Sequence, residues 1–171
     1  MKNLLLLVFV LLNFTPRLIA QQSATISSAE ISFIFLSKDV DGSISGFESS
    51  SALNLDTLPE SKFKGSVAIE TIKTGNFLRD WSLKSSKYFD ADAHPKISFE
   101  STEISKTGSG FSVKGKLIIK GVTKSATINF EQKDKQLIGT TTLFSSDFGI
   151  DIKSDREDNE VEVKFILKIK S

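Results

Sequence analysis

Cysteine is absent from the 171 residues, and histidine, tryptophan and tyrosine each occur once. Without cysteine there is no disulfide, no thiolate zinc site and no thiol nucleophile. With His94 as the only imidazole, a serine triad or a histidine-based metal site must run through that one residue. It stands beside Pro95 with acids nearby, a setting that describes an ordinary surface histidine equally well. No glycine-rich phosphate loop opens a helix. An excess of one charge is missing too: 22 basic and 21 acidic residues are spread along the chain, unlike the electrostatic footprint of a nucleic-acid binder. No catalytic residue, metal site or enzymatic role is expected from this inventory, and nucleic acid is not an expected partner.

Two acidic stretches bear on metal binding. Ser37–Glu48, SKDVDGSISGFE, overlays a calcium-binding EF-hand loop at Asp39, Asp41, Gly42, Ile44 and Glu48, with Ser37 in place of the first acid. An EF-hand needs a helix on each side, whereas here an alternating aromatic strand precedes and a serine-rich segment follows. The segment reads as a β-hairpin. Asp147, Asp151, Asp155, Glu157 and Asp158 gather near the last hairpin and read as solvated turn charge.

Hydrophobic runs are short, with one exception. Met1-Lys2-Asn3 precedes LLLLVFVLLNF, and Leu18-Ile19-Ala20 follow. A basic start, an apolar run of about eleven residues and a small terminal residue make a secretory signal peptide over 1–20, cleaved after Ala20. The run falls short of the roughly 20 residues of a membrane span, so no permanent span is expected. The mature domain, 21–171, is then periplasmic or secreted and relies on an ordinary hydrophobic core.

Period-two alternation dominates that domain. Ile31, Phe33 and Phe35 share a face, as do Val67 and Ile69, Ile97 and Phe99, and Phe111, Val113, Leu117 and Ile119. Ala126, Ile128 and Phe130 continue the pattern, as do Val161, Val163, Phe165, Leu167 and Ile169 against charged partners. One buried and one wet face is the antiparallel pattern. Hairpin turns are expected at Asp41-Gly42, at Lys106–Gly110, at Lys133-Asp134-Lys135 and in the polar run from Ser154. About eight strands suit an all-β, closed antiparallel barrel, which removes exposed edges; a two-sheet sandwich is the alternative. One short helix interrupts the strands. Phe77, Leu78, Trp81, Ser85, Tyr88 and Phe89 recur at helical spacing, Asn76 or Thr74 stands ready to cap the start, and Pro95 ends the connection. Such a helix covers one end of the barrel, either as a plug of a filled core or as a lid that touches a ligand.

Phenylalanine, by contrast, is abundant: 14 residues, several on the inward faces. They fill an aromatic core or line a cavity for one apolar guest, since about eight strands leave room for either.

The ordered motifs point to a family. TGNFLRDWSLKSSKYFDADAHPKISFEST, Thr74–Thr102, carries Thr-Gly, Arg-Asp, aromatic-Phe-Asp and a proline opening a strand; VKGKLIIKGVTK carries Gly115, Leu117, Ile119, Gly121, Val122, Thr123 and Lys124; DFGID carries Asp147, Phe148 and Gly149. Together they resemble the YceI family of exported, lipocalin-like, polyisoprenoid-binding proteins. The resemblance implies an antiparallel barrel with one short helix covering an end, holding an isoprenoid chain, without enzymatic activity or any cofactor beyond the bound lipid. Ser82 and Ser145 replace a histidine and an arginine common in that family. The ligand-lining residues expected from alternation and from the helix are Phe33, Phe35, Val67, Ile69, Leu78, Trp81, Ile97, Phe99, Val113, Leu117, Ile119, Ile128, Phe130, Leu143, Val163 and Phe165. The expected partner is a long apolar lipid of polyisoprenoid or isoprenoid-quinone type, carried or stored. A filled barrel acting as a protein-interaction module is the alternative.

Overall fold

The computed structural model describes residues 23–54 and 56–170, so the leader expected at 1–20 lies outside the described residues. Eight strands of five or more residues carry the architecture: β1 (Ser23–Phe35), β2 (Val40–Ile44), β5 (Lys64–Ala68), β6 (Lys96–Lys106), β7 (Phe111–Ile119), β8 (Val122–Lys133), β9 (Gln136–Phe144) and β10 (Glu160–Lys170). Two-residue strands β3 (Glu48–Ser49) and β4 (Leu53–Asn54) and, among the described residues, a single α-helix, α1 (Phe77–Lys84), complete it. Pairing is antiparallel throughout, in the order β2-β1-β10-β9-β8-β7-β6-β5-β3, with β4 on β1.

The sheet curls until its ends meet. Ser43 and Lys73 exchange backbone hydrogen bonds of 2.8 and 2.9 Å, and Ala68 N–H donates to the Ser45 carbonyl at 3.0 Å. Farther along, Ala52 and Lys62 pair in the same way while Ala24 of β1 faces Leu53 of β4. The edge groups that an open sheet would leave unpaired are thereby largely engaged.

Alternation survives the bends because bulges compensate for them. A bulge at Ser101/Glu103 brings Ile104 to the inner face that Ile97 and Phe99 began, and another at Ile26/Ser28 does the same between Ile26 and Ile31. One expected turn is displaced. Asp41-Gly42 lies inside β2, and the chain reverses instead through Leu36–Asp39, with Asp39 left-handed at φ 49°. Gly42 is needed in the strand for a different reason: a Cβ there would overlap the ring of Phe33 directly across the pair. Gly139 stands in the same relation to Phe130, and Gly115 makes room for Phe99 diagonally across β6–β7, where its direct partner is Ser101. The outer atoms of these rings occupy the space over bare backbone that a side chain would otherwise take.

One end of the barrel is sealed. Phe63 and Phe111 each stack on Phe130 at 5.4 Å between centroids and tilt against each other at 5.9 Å, and Phe165 tilts against Phe130 at 6.5 Å. With Leu137 and Val113, both fully buried, they form a floor. The other end carries α1 and a smaller cluster of Ile119, Phe148 and Ile150, against which Tyr88 and Phe89 pack.

The ring-on-glycine contact makes a direct prediction. Gly139→Ala forces a methyl into Phe130, which its stacked neighbours hold, and should cost about 1–3 kcal/mol by overpacking. Gly108→Ala, in open space, should be near neutral. Chemical denaturation midpoints compare the two.

Candidate functional site

Between floor and helix the interior is open. Inward residues at mid-height, among them Phe33, Ile97, Phe99, Leu117, Leu143 and Val163, are only half-buried although they face the axis. Inward residues of a filled core would be as closed as Leu137 and Val113 in the floor. The space is an apolar cavity of about 550 Å³, within the ~300–1,000 Å³ typical of sites that enclose one small-molecule ligand.

Twelve of the sixteen expected residues line it: Phe33, Phe35, Val67, Ile97, Phe99, Leu117, Ile119, Ile128, Phe130, Leu143, Val163 and Phe165. Four do not. Val113 points inward but is buried in the floor, below the open space. Ile69 lies beyond β5 in a 3₁₀ turn, Ile69–Thr71, where it is fully buried off the cavity. Leu78 and Trp81 face solvent, 73% and 69% exposed, and Phe77 beside them is 81% exposed. The apolar stripe of the helix is turned outward, against expectation.

The reason is a polar latch. Asn76 caps α1 by accepting the Arg79 N–H at 3.0 Å. Buried Thr74 then receives the next two side chains. Its hydroxyl donates to Asp80 Oδ1 at 2.6 Å and accepts from Arg79 Nε at 2.7 Å, its N–H donates to the same Oδ1 at 2.8 Å, and its carbonyl accepts from Arg79 Nη2 at 2.8 Å. This fixes the rotation of the helix. Arg79 and Leu83, one turn apart, face the cavity, and Phe77, Leu78 and Trp81 fall on the opposite side. The paired Thr-Gly and Arg-Asp dipeptides of the sequence are thus one fastening. Arg79 and Asp80 are both anchored on Thr74. The Thr74 hydroxyl, with Arg79 and Lys84 nearby, holds the Asp80 carboxyl below the usual carboxylate range against the opposing effect of burial.

The other motif residues also have structural partners. Asp147 receives Arg156 in a bidentate pair, 2.8 and 2.7 Å, and the guanidinium lies 3.7 Å over the Phe144 ring. Gly121, at φ 74°, lies against the His94 ring, so the lone histidine packs on the β7–β8 turn. Ser145 lines the cavity and donates to the Ile150 carbonyl at 2.7 Å. The Ser82 carbonyl accepts from Ser85 at the helix end. The Ser37–Glu48 segment is the β1–β2 hairpin and its continuation, without flanking helices. Among the described residues no group of three or more His, Asp or Glu is placed to hold a metal.

Sequence reasoning missed several lining residues, including Ile31, Val40, Phe63, Thr74, Leu83 and Phe89. Ile31 belongs to the same alternation as Phe33. The i, i+4 pair Arg79/Leu83 was the available signal for the helix, masked by the stronger apolar stripe.

Comparisons with known proteins agree with this architecture. The model of the YceI-like domain matches residues 19–169. A UPF0312 protein of Photorhabdus laumondii is 35% identical over 94 residues, 55% of this chain and 45% of its own length. One from Pseudomonas aeruginosa is 28% identical over 138 residues, 75% of this chain and 71% of its own. The chain thus spans about half the length of the first of these relatives. Among solved structures, Burkholderia cenocepacia BcnA superposes with TM-score 0.69 at 19% identity, covering 84% of this chain and 96% of that one. A polyisoprenoid binding domain from Saccharophagus degradans superposes with TM-score 0.57 at 10% identity, covering 86% and 98%. At such identities the likeness concerns the fold.

The latch predicts a local response. Thr74→Val removes a hydroxyl that both donates and accepts in a buried position and should cost about 1–3 kcal/mol. Faster amide exchange across 77–84 should accompany it. Acid should act in the same place. The value of Asp80 is lower folded than unfolded, so its contribution is complete above the unfolded pKa of about 3.9 and fades as pH falls through the depressed value.

Proposed function

The chain belongs to the YceI-like family, and from that premise we propose that its barrel holds one long apolar lipid, of polyisoprenoid or isoprenoid-quinone type, for transport or storage outside the cytoplasm. The observation that carries this reading is the contrast between the sealed aromatic floor and the half-buried wall above it. A protein-interaction module with a filled barrel has no use for such a gap. The fold shared with a polyisoprenoid binding domain supports the ligand class, and the leader pattern in residues 1–20 supports export.

The binding energy is then mainly that of the tail. Each methylene moved from water into the cavity contributes about 0.8 kcal/mol. Polar groups on the lining are few, and Lys38, in the β1–β2 turn, and Arg79, on α1, both at the helix-bearing end, are where a headgroup would rest. With Ser145 bonded to backbone, no arginine stands at that point to add a second charge. The reading is one of binding, supported by walls that present mainly hydrocarbon.

Organic extraction of the purified protein followed by mass spectrometry should recover a stoichiometric apolar lipid. Phe99→Asp, which sets a charge on the cavity wall, should abolish recovery. Val163→Trp, which fills the space without charging it, should reduce recovery while the fold persists. Lys116→Asp, on the outer face, should leave it unchanged. An empty extract from the unsubstituted protein would return the barrel to the interaction-module reading.

A further inference from the structure

The exposed large hydrophobic side chains of the described residues are Ile34, Leu36, Phe77, Leu78, Trp81, Ile118 and Val122. Their distribution is not random. Leu36 follows the last residue of β1 and Ile34 lies near it, Ile118 and Val122 flank the β7–β8 turn, and the other three form the outer face of α1. All lie at the helix-bearing end of the barrel. The floor end turns instead through Lys106–Gly110 and Lys133–Lys135, which are polar. The apolar groups therefore mark three separate points around the rim of the cavity, on β1, on the β7–β8 turn and on α1.

We propose that this rim is a membrane-docking surface, with Phe77, Leu78 and Trp81 entering the interfacial region of a lipid bilayer so that the helix-bearing end faces the lipid. The inference rests on the lipid-binding reading above: a ligand with little solubility in water has to enter and leave through a lipid phase. A bilayer suits the rim better than a second copy of the chain does. The helix face offers on the order of 450 Å², short of the roughly 800 Å² per partner that a standard protein interface buries. The three points are also discontinuous, which a fluid surface accommodates and a complementary protein surface does not.

Charge predicts the kind of docking. Around α1, Lys73, Arg79, Lys84 and Lys87, joined by Lys120 whose ammonium donates to the Lys87 carbonyl, face Glu70, Asp80, Asp90 and Asp92, an excess of one positive charge, and Lys84 already pairs with Glu70 at 3.3 Å. The helix side of the rim is close to neutral. Attachment is consequently driven by apolar burial, as for an interfacial helix, and not by anionic headgroups.

The test uses the protein recovered after expression of the full chain, with vesicles of zwitterionic phosphatidylcholine, plain or brominated along the acyl chain. Trp81 is the only tryptophan, so its emission reports α1. Vesicles should shift that emission to the blue, and brominated lipid should quench it. Binding should persist at about 0.5 M salt, where screening leaves only a few ångströms of electrostatic reach. Phe77→Ser/Leu78→Ser, both at exposed positions, should need roughly tenfold more lipid for half-binding. Emission indifferent to vesicles, an unchanged double variant, or binding confined to anionic vesicles and lost in salt would each overturn the proposal. So would a dimer by sedimentation velocity in which Trp81 is already buried without lipid. Solvent extraction of the same protein before vesicles are added separates the two readings: docked protein with an empty extract supports docking and overturns the lipid cavity, while a loaded protein that ignores vesicles does the reverse.

Discussion

The geometry depends on glycines that leave aromatic rings the space over the backbone. A barrel of about eight strands has an interior that side chains can fill, so whether it stays open is decided by how its largest residues lie. Phe33 and Phe99 rest over Gly42 and Gly115, where a Cβ would collide with them. With room over glycine for their outer atoms, both rings line the cavity. In the floor, Phe130 rests over Gly139 but is joined by Phe63, Phe111 and Phe165, and there the interior closes. The same residue type, in the same relation to glycine, lines the cavity at one height and seals it at another. The difference is the number of rings that converge.

A second constraint governs the open end. Alone, α1 would turn its apolar stripe toward the barrel, because burial of Phe, Leu and Trp side chains is worth more than burial of Arg and Asp. Thr74 reverses that preference. It is buried, and its backbone and hydroxyl groups are met by Arg79 and Asp80. Releasing the latch would leave the Thr74 hydroxyl, N–H and carbonyl without these partners, at about 1–3 kcal/mol for each buried group, and that penalty opposes the gain from burying the stripe. The consequence is a helix with two unlike faces: Leu83 and Arg79 line the cavity, and Phe77, Leu78 and Trp81 face outward.

Much of this was legible in the sequence. The strands, their inward residues and the barrel follow from period-two alternation, because each strand buries one face and each pair is local. Twelve of the expected wall positions face the cavity for that reason. The misreadings have distinct physical causes. Gly42 looked like a turn residue because glycine favours turns, whereas its use is to make room for Phe33. Ile69 continued an alternating pattern after the strand had ended in a 3₁₀ turn.

The sequence by itself determined the architecture, the absence of thiol chemistry and the motifs that join this chain to its family, since these depend on residue type and local period. Three matters were left to the tertiary structure. The cavity exists because the stacking of Phe63, Phe111, Phe130 and Phe165 ends below Phe99 and Leu117, a difference in depth that no single strand carries. The rotation of α1 was set by Thr74, which lies outside the helix and competes with its apolar stripe. And the gathering of exposed hydrophobic groups at one rim required β1, the β7–β8 turn and α1 to meet at the same end, which only closure of the sheet brings about.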